Sequence, residues 1–409
     1  EVSAGSKVSV KLNRLAIESP EIELTNDTDT AVMEVETKPK SEEEQQAAAV
    51  GSATTTSTSV AVSSVTIAGM SSGNLSAAWT LINSLNLLGY IPMMNLNLPL
   101  PLREFFKSLL FNLMPNSFKY FVPDESKHIH SAAKRIDTDS SLFILNAGDL
   151  VTVFISSIVF VPILIWLAKA ENKMISRFFA KQVESFKWNF FIRFVLEGYI
   201  ELMFAAFLQL YDLSFISFVC IFNSLLACLT MFVVVLSPFA VVLFTVKNHS
   251  LFNKDHDLAR SYGSLYDEFK NNRGLLSCCY YSFFVWRRFV YMGSLYLLED
   301  YPETQVLINI LHSLPSAMFV VVYSPYIRCL GNFANVYNEV CMIIVFSLTG
   351  LYYFDLNSLS REVLQWTIMG IVYSMILLNF CVSVWLTYSS MRDSWRQWRK
   401  TKKTIKVVD

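Results

Sequence analysis

Four polar residues recur at intervals of four inside one of the most apolar stretches of the chain, 188–211: Asn189, Arg193, Glu197 and Glu201. On a helix that turns about 100° per residue, steps of four drift by only about 40°, so these residues share one continuous face, and Asp212 returns to it at the far end. An ionisable side chain at bilayer depth costs about 2.5–3.5 kcal/mol on insertion scales and normally faces protein or water. The stripe is therefore either the wall of an ion path with two acidic sites or an Arg193–Glu197 pair that docks the helix. Glu201 has Glu197 and Ala205 one turn to either side and no base, which makes it the candidate for cation contact.

A second stripe, Gln305, Asn309, His312 and Ser316, runs along 304–323 and is interrupted by Pro315. Amides, an imidazole and a hydroxyl at that depth serve either as interhelical hydrogen-bonding glue or as the wall of a wet pathway, and proline supplies a kink that can act as a hinge. Glu299, Asp300 and Glu303 precede this stripe with no base beside them in sequence. They form either a cation-concentrating outer mouth or a solvated acidic turn. Arg287 and Arg288 lie near the middle of 275–298. Adjacent residues point about 100° apart, unlike the one-face repeat of a voltage sensor, so they are expected as charge partners, one of them neutralising Glu197 or Glu201. Asp149, Asn223, Glu339, Asn379 and Ser383 are read as packing contacts.

Other chemistries lack their residues. His128/His130 and His249/His256 have no Cys or Glu partner at zinc-ligand spacing, and no G-x-S-x-G, Walker A or G-x-G-x-x-G motif occurs. No metal, cofactor or catalytic constellation is expected. The seven cysteines lie in or beside apolar segments and include no CxxC pair, so they read as small buried hydrophobes. A formal net charge of −1 carries no nucleic-acid signature.

The elements that must hold these residues follow from composition. Of the 409 residues 53% are hydrophobic and 16% charged, against about 25% charged in a soluble protein, which excludes a soluble enzyme. Seven runs approach the ~20 residues needed to cross a bilayer: 143–168, 188–211, 216–244, 275–298, 304–323, 337–356 and 363–388. Two weaker segments precede them. The hydroxyl-rich tract 52–66 is either a stalk or a helix whose hydroxyls bond back to their own carbonyls; 75–98 is either a second weak span or, after a stalk, an interfacial helix.

The expected fold is an all-α polytopic membrane protein of about nine transmembrane helices, seven strong and two weak. A short extracellular β/stalk segment should come first, with Val8, Val10 and Leu12 alternating as a strand. By domain, 1–50 ends an extracellular region, 51–98 holds the weak pair, 99–142 is an extracellular loop, 143–388 is the seven-helix core and 389–409 is a basic tail. Because the chain begins at Glu1, an upstream part is expected to be missing. Lys and Arg are concentrated in the loops after 168, 244 and 323 and in the tail from Arg392 to Lys406, so the positive-inside rule puts those segments and the C-terminus in the cytosol. Sequons at Asn26 and Asn74 are glycosylation candidates; Asn248 falls in a cytosolic loop and should be unmodified.

Several blocks resemble the TRP-like C-terminal domain of large ciliate surface proteins, related to fungal TRP-like ion channels. They are Ser76 to Leu85 with Tyr90-Ile91-Pro92, Phe186 to Phe194 with Glu197 and Glu201, Tyr262 to Tyr266 with Glu268-Phe269-Lys270, and Arg287-Arg288 with Pro302 and Gln305. The resemblance implies a multi-pass protein of the plasma, including ciliary, membrane or of an endomembrane, with cations, lipids and further copies of itself as partners. The outer loops are too short for a re-entrant pore loop, so a conducting pathway is expected inside each chain, between the polar faces of 188–211 and 304–323. A non-conducting anchor for an extracellular adhesion or scaffold region, and a lipid scramblase, are the alternatives.

Overall fold

The computed structural model describes residues 7–13, 30–36, 42–72, 76–110, 116–169, 188–252 and 275–408, with parts of 176–183 and 254–270. The sequons at Asn26 and Asn74, and the basic residues Lys173, Arg177, Lys181, Lys187, Arg260 and Arg273, lie outside the described residues. Two short strands, Lys7–Asn13 (β1) and Thr30–Glu36 (β2), pair antiparallel with Val10 opposite Met33.

The rest is helical. In chain order the helices are Glu42–Ser72 (α1), Ser76–Gly89 (α2), Leu100–Lys107 (α3), Ser131–Lys134 (α4), Phe143–Asn146 (α5), Gly148–Ala168 (α6) and Trp188–Glu197 (α7). They continue with Tyr199–Tyr211 (α8), Phe218–Asn248 (α9), Leu275–Cys278 (α10), Tyr280–Leu297 (α11), Pro302–Tyr323 (α12), Cys329–Gly350 (α13) and Ser358–Val408 (α14). Five spans are long and apolar enough to cross a membrane: Gly148–Ala168, Phe218–Leu251, Pro302–Tyr323, Cys329–Tyr353 and Ser358–Ser389. The architecture is that of an integral membrane protein. In the most apolar windows of α6 and α9 only 17% of residues are buried, against 50% for the α13 span, so α6 and α9 present apolar side chains outward and α13 lies deeper.

The two segments the sequence leaves ambiguous are both helices. In α1 the hydroxyls of Ser52, Thr54, Thr55, Thr56 and Ser57 donate to carbonyls three or four residues back, which spares them apolar surroundings without partners. Thr54 also bonds Tyr373 of α14 at 2.8 Å. With 14 residues, α2 is about 21 Å long, short of a ~30 Å hydrocarbon core. It lies inside the bundle, against α1, α13 and α14, with Leu81, Leu85 and Leu88 completely covered. At its end Tyr90 enters a turn carrying Pro92.

Two expected spans change form. The stretch 188–211 is divided at Gly198 into α7 and α8, and 275–298 becomes α10 and α11, too polar to count among the five apolar spans. The last helix runs on for 51 residues, about 76 Å, so the expected span 363–388 and the basic tail form one rod.

Loops sort to two ends. At one, Arg361 donates to Asn97 O at 2.6 Å, Ser217 bonds Glu125, the Lys127 N–H donates to Asp212 at 2.8 Å and Arg135 reaches Glu299 at 2.9 Å. At the other, the Lys270 N–H donates to Pro325 O at 2.7 Å. There Phe269 rests among the rings of Tyr280, Tyr281 and Tyr326. Among the described residues, the 99–142 loop and the Lys270–Pro325 contact thus lie at opposite ends of the helices.

Candidate functional site

Glu197 closes α7 and Glu201 opens α8, with Gly198 between them. The glycine lets α6 come close: a Cβ there would lie 2.9 Å from Leu150 Cδ1. Both carboxylates are met from α2. Asn83 Nδ2 donates to Glu197 Oε2 at 2.6 Å, and Asn86 Nδ2 donates to Glu201 Oε1 at 3.4 Å. Spacings of three on α2 and four on α7–α8 keep step because the two elements run in the same direction.

The two carboxylates open on different spaces. Glu201 lines a cavity of about 840 Å³ that extends into the loops of the first end, where Tyr90, Asp124, Asp139, Asn146 and Phe204 also contribute. Glu197 lines a smaller cavity of about 40 Å³ together with Asn83, Arg287, Arg288 and Glu339. A volume of 10–15 Å³ on this measure suffices for one water, so the smaller cavity has room for two or three. Tyr280, Tyr281, Phe284 and Tyr326 close it toward the second end.

Arg287 is partnered differently from the sequence expectation, whereas Arg288 shares the small cavity with Glu197. Arg287 is neutralised by Glu339 of α13: its Nη1 lies 2.5 Å and 2.6 Å from the two carboxylate oxygens, and both residues are 6% exposed. Arg287 Nη2 also donates to Ser313 at 2.9 Å, and Ser316 donates to Glu339 at 2.9 Å. Glu339, read from sequence as a packing contact, is thus the counter-charge. Arg288 donates to Phe284 O at 3.1 Å and stacks with Cζ 3.2 Å from the Phe284 ring centroid, a cation–π arrangement. It lines the Glu197 cavity.

The second stripe is divided among several tasks. Gln305, completely buried, donates to Ser294 O at 3.1 Å at the end of α11, and Asn309 donates to Gln305 O of its own helix at 2.7 Å. His312 is half-buried. These three are not among the described residues lining either cavity. Helix α11 packs on α8 and on α12, so the two stripes do not share one groove; only Ser313 and Ser316 of α12 reach the buried ion pair. Helix α12 runs on through Pro315. Arg193, one turn before Glu197, is half-buried.

The acidic turn is not an open mouth at Glu299. That carboxylate bonds Ser131, accepts from Arg135 Nη2 at 2.9 Å and lies 3.5 Å from His130 Nε2. The base missing from its sequence neighbourhood arrives from a loop 164 residues earlier. Burial lowers the His130 imidazole, the Glu299 charge opposes this and Arg135 adds to it, leaving the ring below its ordinary value. Asp300 and Glu303 are exposed. Asp212, at the outer end of the first stripe, anchors the loop above the larger cavity by accepting from Lys127 N, His128 N and Ser141 Oγ.

Sequence reasoning missed Asn83 and Asn86; their signal was two amides three apart in an otherwise leucine-rich segment. No family model, no curated protein and no solved structure matches the chain.

Proposed function

We propose that this multi-pass membrane protein is a cation-permeable channel whose pathway runs through its own helix bundle, along α2, α7–α8 and α11. The observation that carries the reading is the pair Glu197 and Glu201, one turn apart on one polar face yet opening on separate cavities. Carboxylates spaced so offer successive cation sites across the narrowest part of the bundle, and the carboxylates of the larger cavity raise local cation concentration. Arg288 supplies, in the closed arrangement, the positive charge beside Glu197 that a permeating cation replaces. Tyr280, Tyr281 and Tyr326 form the barrier at the far end, held by the Phe269 clasp.

This reading keeps the TRP-like kinship suggested by the sequence blocks, with a different route. It puts the Glu201 cavity outside and the C-terminal rod in the cytosol, as the distribution of Lys and Arg favours. Counting α1, α2, the broken helix α7–α8 and α11 as crossings beside the five membrane-length helices gives nine passes, and β1–β2 then lies outside the cell. Gln305 holds α12 to α11 through Ser294 O, Asn309 bonds back within α12, and both bound the route without lining it.

The experiment is cation flux into liposomes carrying the purified chain. Glu201→Gln is expected to lower flux at least tenfold, while Arg288→Gln raises it at rest. Unchanged flux in both variants, with normal folding, would remove the assignment.

A further inference from the structure

A third cavity, of about 600 Å³, lies away from the two described above, where the start of α14, the start of α1 and α3 meet. Its wall includes Gln46, Arg103, Arg361, Glu362 and Gln365, and its volume falls in the range of ligand sites. The polar groups are arranged for a zwitterion. Arg361 is fixed at both ends: Nη2 donates to Asn97 O at 2.6 Å, and its carbonyl accepts from Tyr352 Oη at 3.0 Å. One of its five N–H donors is used there, and among the described residues the rest of the fork has no partner. Arg103 adds a second guanidinium to the cavity wall.

The location selects the ligand. Arg361 sits in the first turn of a membrane-length apolar helix, the depth of phospholipid headgroups. On the same stretch of α14, Leu359, Val363 and Trp366 are 70%, 59% and 50% exposed, an apolar rail beside the cavity with an indole at the interfacial level that tryptophan favours. Deeper in, Tyr373 pins the surrounding helices, bonding Thr54 of α1 at 2.8 Å and lying 5.5 Å from the Phe105 ring of α3.

We propose that this cavity binds the headgroup of a zwitterionic glycerophospholipid. Arg103 and Arg361 take the phosphate oxygens, a pairing that guanidinium geometry favours. Glu362 takes the ammonium, and the acyl chains follow Leu359, Val363 and Trp366 down α14. The site is independent of conduction.

The test uses the delipidated full chain in detergent, titrated with phosphatidylethanolamine or with diacylglycerol of the same chains, and bound lipid counted by native mass spectrometry. Wild type is expected to retain phosphatidylethanolamine at least tenfold better than diacylglycerol. Arg103→Ala with Arg361→Ala should abolish that difference, while the double Lys variant, which preserves charge and checks folding, retains most of it. Glu362→Gln should shift preference toward phosphatidylglycerol. Equal retention of diacylglycerol by wild type, undiminished phosphatidylethanolamine in the Ala double variant, or displacement by millimolar free phosphoethanolamine would overturn the proposal.

Discussion

Removing one partner of the Arg287–Glu339 pair tests how the bundle tolerates charge in its interior. Both side chains are 6% exposed, their contacts are 2.5 and 2.6 Å, and Ser313 and Ser316 each add a hydrogen bond to the pair. Breaking a pair of this kind leaves an uncompensated buried charge and costs about 3–5 kcal/mol, whereas replacing both partners with apolar residues of similar volume is near neutral. Glu339→Leu and Arg287→Met should each therefore destabilise by about 3–5 kcal/mol, and Arg287→Met/Glu339→Leu by much less. The coupling energy from the double-mutant cycle should be about 3 kcal/mol or more. Reversible unfolding in mixed SDS micelles measures all four forms. A coupling below about 1 kcal/mol, the value of a solvated surface pair, would show that water screens this site and would refute the description of the pair as buried.

The outer loop offers a pH test. Burial acts to raise the Asp212 carboxyl, but hydrogen bonds from Ser141, Lys127 N and His128 N outweigh it, with a further pull from His128, and hold it below its ordinary value. A depressed folded value contributes stability that is complete above the unfolded pKa of about 3.9 and is lost as pH falls through the folded value. Protection factors for hydrogen exchange in 124–141 should thus hold steady from pH 7 to about 4 and fall below; Asp212→Asn should abolish that acid transition. At the helix break, Gly198→Val puts atoms where a Cβ already lies 2.9 Å from Leu150 Cδ1 and 3.1 Å from Phe194 O. Overpacking of this sort costs about 1–3 kcal/mol, readable in the same micelle titration.

Much of the helical architecture was legible because apolar length is a strong signal. The runs at 143–168, 216–244, 304–323, 337–356 and 363–388 each correspond to one of the five membrane-length helices. Less legible was α2, because a short helix buried among others needs no long apolar run; its 14 residues gain their cover from α1, α13 and α14. The polar face of 188–211 was readable from spacing alone, since helical periodicity puts Glu197 and Glu201 one turn apart. Their partners were not, because Asn83 and Asn86 lie more than a hundred residues away and nothing local to either segment encodes the pairing. The same limit hid Glu339 from Arg287 and Arg135 from Glu299. The stripe on 304–323 shows the converse: periodicity correctly aligned Gln305 and Asn309, but hydrogen bonds to Ser294 O and to the helix's own backbone occupy them.

The central claim is that Glu201 faces the cavity on one side of the membrane and that Glu197 is reached from the other side when the Tyr280, Tyr281 and Tyr326 barrier opens. Side-specific labelling measures this, with a membrane-impermeant thiol reagent applied to Glu201→Cys and Glu197→Cys in a background where exposed Cys228, Cys329 and Cys381 are serine. The account predicts modification of position 201 only from the side of the 99–142 loop and of position 197 only from the opposite side, faster in the Arg288→Gln background. Labelling of both positions from one side, or of neither from any side, would contradict it.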